Sequence, residues 1–237
     1  MKHSAFAPGK IILSGEYAVV FGYPGIAVSA NVGVEATWEE TSDAPVKIVL
    51  KGLKGEETYA RKIVNACIDK RGPLKGTITI KNDIPVGRGM GSSTALVIAI
   101  CKCLLGDDRA AAVLIEDAVN PGNSGLDFAV IWANHPVKFK KGTAPEPLQL
   151  DLAFIKNSTL IDTGVPGETT AELVSWMRSR VSGDAVVSAD TTAALGEIGQ
   201  CTERLLAGAD FKTVIRDHHH AQLALGVVTP EAQKIIT

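Results

Sequence analysis

The chain has 237 residues, 46% hydrophobic and 21% charged, an ordinary composition for a globular protein and enough to bury a sizeable core. A formal net charge of −2 with no long basic run gives no electrostatic footprint for nucleic acid, so the expected partner is a small molecule. Four cysteines, Cys67, Cys101, Cys103 and Cys201, form no C-x-x-C pair and sit at no zinc-finger spacing. They read as reduced, mostly buried thiols of a cytoplasmic protein.

From the N-terminus, Met1-Lys2-His3-Ser4 leads into a strand-like run with no apolar core of a leader peptide. Strands are predicted at 3–7, 11–13, 26–30, 32–38 and 46–50, separated by Gly and Pro. Residues 56–70 have helical spacing, with Ile63, Ala66 and Cys67 on one face, and 74–81 alternates as a half-buried strand. A glycine-rich loop follows, and a helix from its end to about Leu105. That stretch is the most apolar of the chain, but it is too short to span a membrane and carries Lys102. A second helix covers 107–119, with Asp107 or Asp108 as its N-cap. A second loop, 120–125, leads into Leu126-Asp127-Phe128-Ala129-Val130. Strands are then expected at 137–140, 148–154 and 159–162, and helices at 169–180, 189–206, 211–225 and from Pro230 onward. Mixed elements first and helices later indicate an α+β fold. A boundary is expected at Pro145-Glu146-Pro147, giving domains 1–146 and 147–237.

The sharpest local signal is Gly87-Arg88-Gly89-Met90-Gly91-Ser92-Ser93-Thr94. Glycines let backbone N–H groups approach an anion without Cβ obstruction, and a helix beginning there adds unpaired N–H groups and a positive dipole end. Phosphate binding is the functional reading; a tight strand-to-helix turn with serine as N-cap is the structural one. Ser92 and Ser93 are candidates for phosphate oxygens or for a magnesium ion. The segment is neither a G-x-x-x-x-G-K-[ST] loop nor a dinucleotide fingerprint. Phosphoryl transfer also needs a metal ligand, a base for the hydroxyl and a cation. Glu116 and Asp127 are candidates for the first two, with Asp117 an equal choice by composition; Lys10 is the candidate cation. His218-His219-His220 point three ways on a predicted helix and read as ordinary surface residues. Trp38, Trp132 and Trp176 read as packing residues.

Three segments together resemble the GHMP kinases: Ala7-Pro8-Gly9-Lys10 through Gly15-Glu16-Tyr17 to Pro24, then Pro85 to Thr94, then Asn123-Ser124-Gly125-Leu126-Asp127. Asp162 to Thr170 and His218 to Val228 are similar to two later motifs. The resemblance, nearest to the mevalonate kinases, covers nearly the whole chain. It implies a two-domain α+β fold, with an N-terminal half like ribosomal S5 domain 2 and a helix-rich C-terminal half lacking the third glycine-rich motif.

The resemblance also implies an ATP- and Mg²⁺-dependent phosphotransferase that converts mevalonate to 5-phosphomevalonate for isoprenoid precursors. Asp127 and Lys10 are then catalytic, and Gly87, Gly89, Gly91, Ser92, Ser93 and Thr94 hold the nucleotide. Ser92, Ser93 and Glu116 hold the metal, and Lys10, Glu16, Tyr17 and Asp127 meet the alcohol. A phosphomevalonate kinase, suggested by Tyr17 where mevalonate kinases usually have His, and a non-catalytic binder are the alternatives. Asn120 falls where the family often has His before its loop. A homodimer is left open; neither nucleic acid nor membrane is expected as a partner.

Overall fold

The computed structural model describes residues 1–149, 158–164, 167–168 and 170–236. They form two compact units, one of residues 1–11 and 29–135, the other of residues 12–28 and 136–237. The expected division at 146/147 differs from this in two ways. The break falls at His135/Pro136, and residues 12–28, including Glu16 and Tyr17, pack with the second unit. Two long strands cause the exchange, because β1 (Lys2–Ser14) and β2 (Gly25–Pro45) each run through both units. The sequence breaks at Pro8-Gly9 and near Asn31 do not interrupt them, so four expected strands become two.

In the first unit β2 pairs antiparallel with β4 (Lys75–Asn82), from Val34 opposite Asn82 to Glu40 opposite Gly76. β3 (Lys47–Lys51) pairs parallel with β4, and β1 pairs with β2. The alternation of β4 sends Ile78 and Ile80 into the core, where Trp38 joins them. Four helices complete the unit: α1 (Glu57–Arg71), α2 (Ser92–Leu105), α3 (Arg109–Val119) and α4 (Leu126–Ala133). α2 packs against α1, α3 and α4, and its residues from Thr94 to Cys101 are all buried. A helix apolar on every side must be enclosed on every side, and here three helices and the sheet enclose it. Asp108, rather than Asp107, caps α3, its side chain accepting from the Ala111 N–H at 2.9 Å. α4 was not expected. Its eight apolar-rich residues carry no periodicity, and it starts from Gly125 in the left-handed region.

In the second unit the start of β2 pairs with β5 (Val137–Phe139), and β5 with β6 (Glu146–Pro147). Among the described residues four helices follow: α5 (Thr170–Val181), α6 (Ala185–Leu206), α7 (Phe211–Leu225) and α8 (Pro230–Ile236). Met177, Leu195, Ile198, Ala221 and Leu225 form its core together with Ala18, and Tyr17, Phe21 and Tyr23 pack on it. Asp184 begins α6 four residues earlier than expected, accepting from the Val186 and Val187 N–H groups. The strand expected at 159–162 does not form. Of the one expected at 148–154, Leu148 and Gln149 lie outside any strand, and the remainder lies outside the described residues, as do Val165, Pro166 and Thr169. Among the described residues, no helix is long and apolar enough to cross a membrane.

Candidate active site

In the first unit, β1, the glycine loop, α3 and α4 converge on the N-terminus of α2. The Lys10 N–H donates to the Met90 carbonyl at 2.9 Å, tying β1 to the loop. The Lys10 side chain is buried, and its Nζ lies 3.2 Å from Oδ1 of Asp127, in the first turn of α4. Gly91 is the N-cap of α2 at φ 75°, without a side-chain cap. A Cβ there would lie 2.9 Å from both Lys10 Cγ and Ile131 Cδ1. Gly91 therefore lets the lysine stem pass beneath the helix start. Gly89, at φ 68°, has nothing within 4 Å of an added Cβ, so its requirement is conformational and its outer side open. The first N–H groups of α2 have no intrahelical acceptor.

Glu116, on α3, is 2% exposed. Its Oε1 accepts from Thr94 Oγ1 at 2.7 Å; Oε2 is buried without a hydrogen-bond partner. Burial pushes the Glu116 carboxyl above its usual range; Thr94 and Asn120 oppose this, while the charges of Asp127 and Asp117 add to it. Asp127 thus acts on Glu116, so the fold brings the helix residue and the loop residue into one electrostatic neighbourhood. Asp117, the other acid that composition leaves open, instead accepts from Asn123 Nδ2 at the surface. Thr94 is buried, and its hydroxyl is committed to Glu116 rather than to the loop's outer face. Ser93 is exposed, its Oγ 2.6 Å from Tyr59 Oη and 3.0 Å from Asn120 Oδ1.

The profile of the GHMP kinases N terminal domain matches residues 58–130, the stretch from α1 through the glycine loop and Glu116 to α4. A mevalonate kinase of Thermococcus sibiricus is 26% identical over all of this chain and 82% of its own length. That of Methanothermobacter thermautotrophicus is 34% identical over 55% of this chain and 48% of its own, so this alignment spans about half of that relative. The crystal structure of Methanococcus jannaschii mevalonate kinase superposes on the whole chain with a TM-score of 0.77 at 20% identity, covering 82% of that protein. Residues 58–130 thus match the GHMP kinases N terminal domain, and the whole chain aligns with mevalonate kinases and shares their fold. A galactokinase of Lactococcus lactis, complexed with galactose, shares the fold at a TM-score of 0.74 and 16% identity, covering 97% of this chain and 77% of its own.

Lys10, Gly87 to Ser93, Glu116 and Asp127 belong to the first unit. Glu16 and Tyr17 belong to the second. Tyr17 is one of two described non-glycine residues at positive φ, 62°. Burial and the neighbouring Glu16 charge push its phenol up to about 12. His218, expected on the surface, is 6% exposed. Its Nε2 accepts from the Gly15 N–H at 3.4 Å, directly beside the Glu16-Tyr17 turn. Sequence reading missed it because three adjacent histidines give no indication of which faces inward; the apolar stripe Val214, Ala221, Leu225 shares its face and is the signal that finds it. Tyr59 and Asn120 were missed as partners of Ser93, since α1 and α3 meet α2 only in three dimensions.

Proposed function

We propose that this chain transfers the γ-phosphoryl group of ATP to the primary hydroxyl of mevalonate. The observation that carries the reading is the Lys10–Asp127 pair beside the N-cap of α2. It joins a carboxylate able to accept a hydroxyl proton to a buried ammonium at the open phosphate-binding loop. The acceptor oxygen attacks the γ-phosphorus, its proton passes to Asp127, and ADP leaves. Such a reaction depends on positioning and charge neutralisation. Lys10 lowers the cost of bringing alkoxide-like and phosphate oxygens together, while the α2 amides and the loop hold the phosphates.

The partnerless, buried Oε2 of Glu116 is costly unless a cation answers it. A hard anionic oxygen near the Ser93 hydroxyl suits a divalent ion that prefers oxygen ligands. Glu116 and Ser93 would hold Mg²⁺, with Ser92 the neighbouring candidate, and the ion would neutralise phosphate charge. Mevalonate as acceptor is supported by alignment of the whole of this chain with 82% of the length of relatives bearing that activity's name. Four buried free thiols suit a reducing, cytoplasmic compartment.

The test is ADP release with mevalonate, phosphomevalonate, homoserine and galactose in parallel. Turnover with mevalonate alone is expected. Turnover only with another alcohol moves the acceptor assignment, and no ADP release with any of them sinks the kinase reading.

A further inference from the structure

Three oxygens form a closed triangle at the outer end of α2. Tyr59 Oη lies 2.6 Å from Ser93 Oγ and 3.0 Å from Asn120 Oδ1, and Ser93 Oγ lies 3.0 Å from the same Oδ1. Each oxygen comes from a different helix region: α1, the first turn of α2, and the C-cap of α3.

The protons of this triangle can be counted. A carboxamide oxygen only accepts, and each hydroxyl has one proton to give. The 2.6 Å edge between the hydroxyls must contain a proton, because two oxygens at that distance without one repel. One hydroxyl therefore donates to the other, and the second donates to Asn120. Whichever way the relay runs, Ser93 spends its proton inside the triangle, on Asn120 or on Tyr59. Tyr59 and Asn120 are half-buried, whereas Ser93 is exposed. A lone pair of the exposed Ser93 Oγ is left unused by the triangle.

The orientation of the Asn120 amide follows from its other neighbour. Asn120 sits one helical turn after Glu116, its N–H donating to the Glu116 carbonyl at 2.8 Å. Turning Nδ2 toward Ser93 would set Oδ1 against a carboxylate, acceptor against acceptor. With Oδ1 on the hydroxyls, Nδ2 falls on the Glu116 side. There it favours the ionised carboxylate, although both Nδ2 and Glu116 Oε2 lack a hydrogen bond of good geometry.

We infer that Asn120 and Tyr59 are positioning residues that fix the Ser93 hydroxyl with its lone pair, not its proton, toward a divalent cation shared with Glu116. This rests on the metal reading proposed above. Asn120 is the hub, because a carboxamide alone offers an acceptor to the serine side and a donor to the carboxylate side without carrying charge. Groups that orient metal ligands from behind typically contribute about 10- to 100-fold to metal affinity.

The test measures Mn²⁺ binding by electron paramagnetic resonance in the presence of a non-hydrolysable ATP analogue, with the full chain. Analogue binding in metal-free buffer, by calorimetry, is the control. Asn120→Leu is expected to weaken Mn²⁺ by about tenfold or more, and Tyr59→Phe by a smaller factor, with metal-free analogue affinity unchanged. Tyr59→Phe adds the decisive arm even if Asn120→Leu fails to fold. Combined with Ser93→Ala it should weaken Mn²⁺ no further than Ser93→Ala alone, because its effect passes through that hydroxyl. An equal loss with and without Ser93→Ala would mark Tyr59 as a general structural residue and overturn the inference. So would parental Mn²⁺ binding that Tyr59→Phe leaves unchanged. A parent chain that binds no Mn²⁺ overturns the metal reading, and this inference with it.

Discussion

Three charged side chains in the first unit are separable by experiment because each has a different reason to be charged. Asp127 faces solvent on one side and Lys10 on the other, with 36% of its side chain exposed, as a group that must meet a substrate requires. Asp127→Asn preserves size and should leave the start of α4 intact, but removes the proposed proton acceptor. It is expected to lower kcat by about 10²- to 10⁴-fold, the range for losing a positioned acid–base group, with ATP affinity nearly unchanged. Parental turnover by this variant would end the base assignment. Lys10→Met should impair turnover at every Mg²⁺ concentration, because the missing charge belongs to the protein. Glu116→Gln removes a hard oxygen from the proposed metal site, so its defect should shrink as Mg²⁺ is raised. One Mg²⁺ titration per variant distinguishes these roles.

At the scale of elements, the loop and α2 divide their glycines between two tasks. A Cβ on Gly91 would press on the Lys10 stem, whereas one on Gly89 would meet only open space. Gly91→Ala should therefore lower thermal stability and kcat together, by displacing the ammonium. Gly89→Ala pays only for its left-handed backbone, roughly 1 kcal/mol, and should act mainly on ATP affinity. Equal kcat in the two variants, by steady-state kinetics at saturating ATP, would refute this division. The same contrast explains what the sequence could and could not tell. A run of alternating glycines before an apolar helix makes the loop legible, because that pattern has few other uses. That Gly91 lies over Lys10 was not legible, since some eighty residues separate them. Helices α1 to α3 were found from periodicity and capping; α4 was missed because it is too short and too uniformly apolar to have a period. Thr94 looked like the continuation of the phosphate loop and instead turns inward to Glu116, one helical step being enough to change a residue's face.

Across the whole molecule, burial opposes the charge of several groups, among them an acid in the first unit and a base in the second. In the first unit, burial raises the Glu116 carboxyl above its ordinary value of 4.5. The folded state then binds its proton more tightly than the unfolded chain does. Its stabilising contribution is fully present below pH 4.5 and is lost as pH rises through the folded-state value. In the second unit, burial lowers His218 below its ordinary value of 6.5; the hydrogen bond with Gln222 opposes this and the neighbouring His219 adds to it. Its contribution is present above pH 6.5 and is lost as pH falls through the folded-state value. A protonated Nε2 also cannot accept from the Gly15 N–H, so the loss falls on the turn that carries Glu16 and Tyr17. Acidification from neutral pH should therefore loosen α7 and residues 12–21 while tightening α2 and α3. Hydrogen exchange of the metal-free protein, corrected for intrinsic rates at each pH, reads both at once. His218→Gln retains an acceptor that cannot titrate and should abolish the acid loosening of the second unit without touching the first. Glu116→Gln should raise the melting temperature at pH 7 and do little at pH 4. Protection that falls uniformly with pH in both units, or a Glu116→Gln variant less stable than the parent at pH 7, would contradict the assignment of these two buried groups.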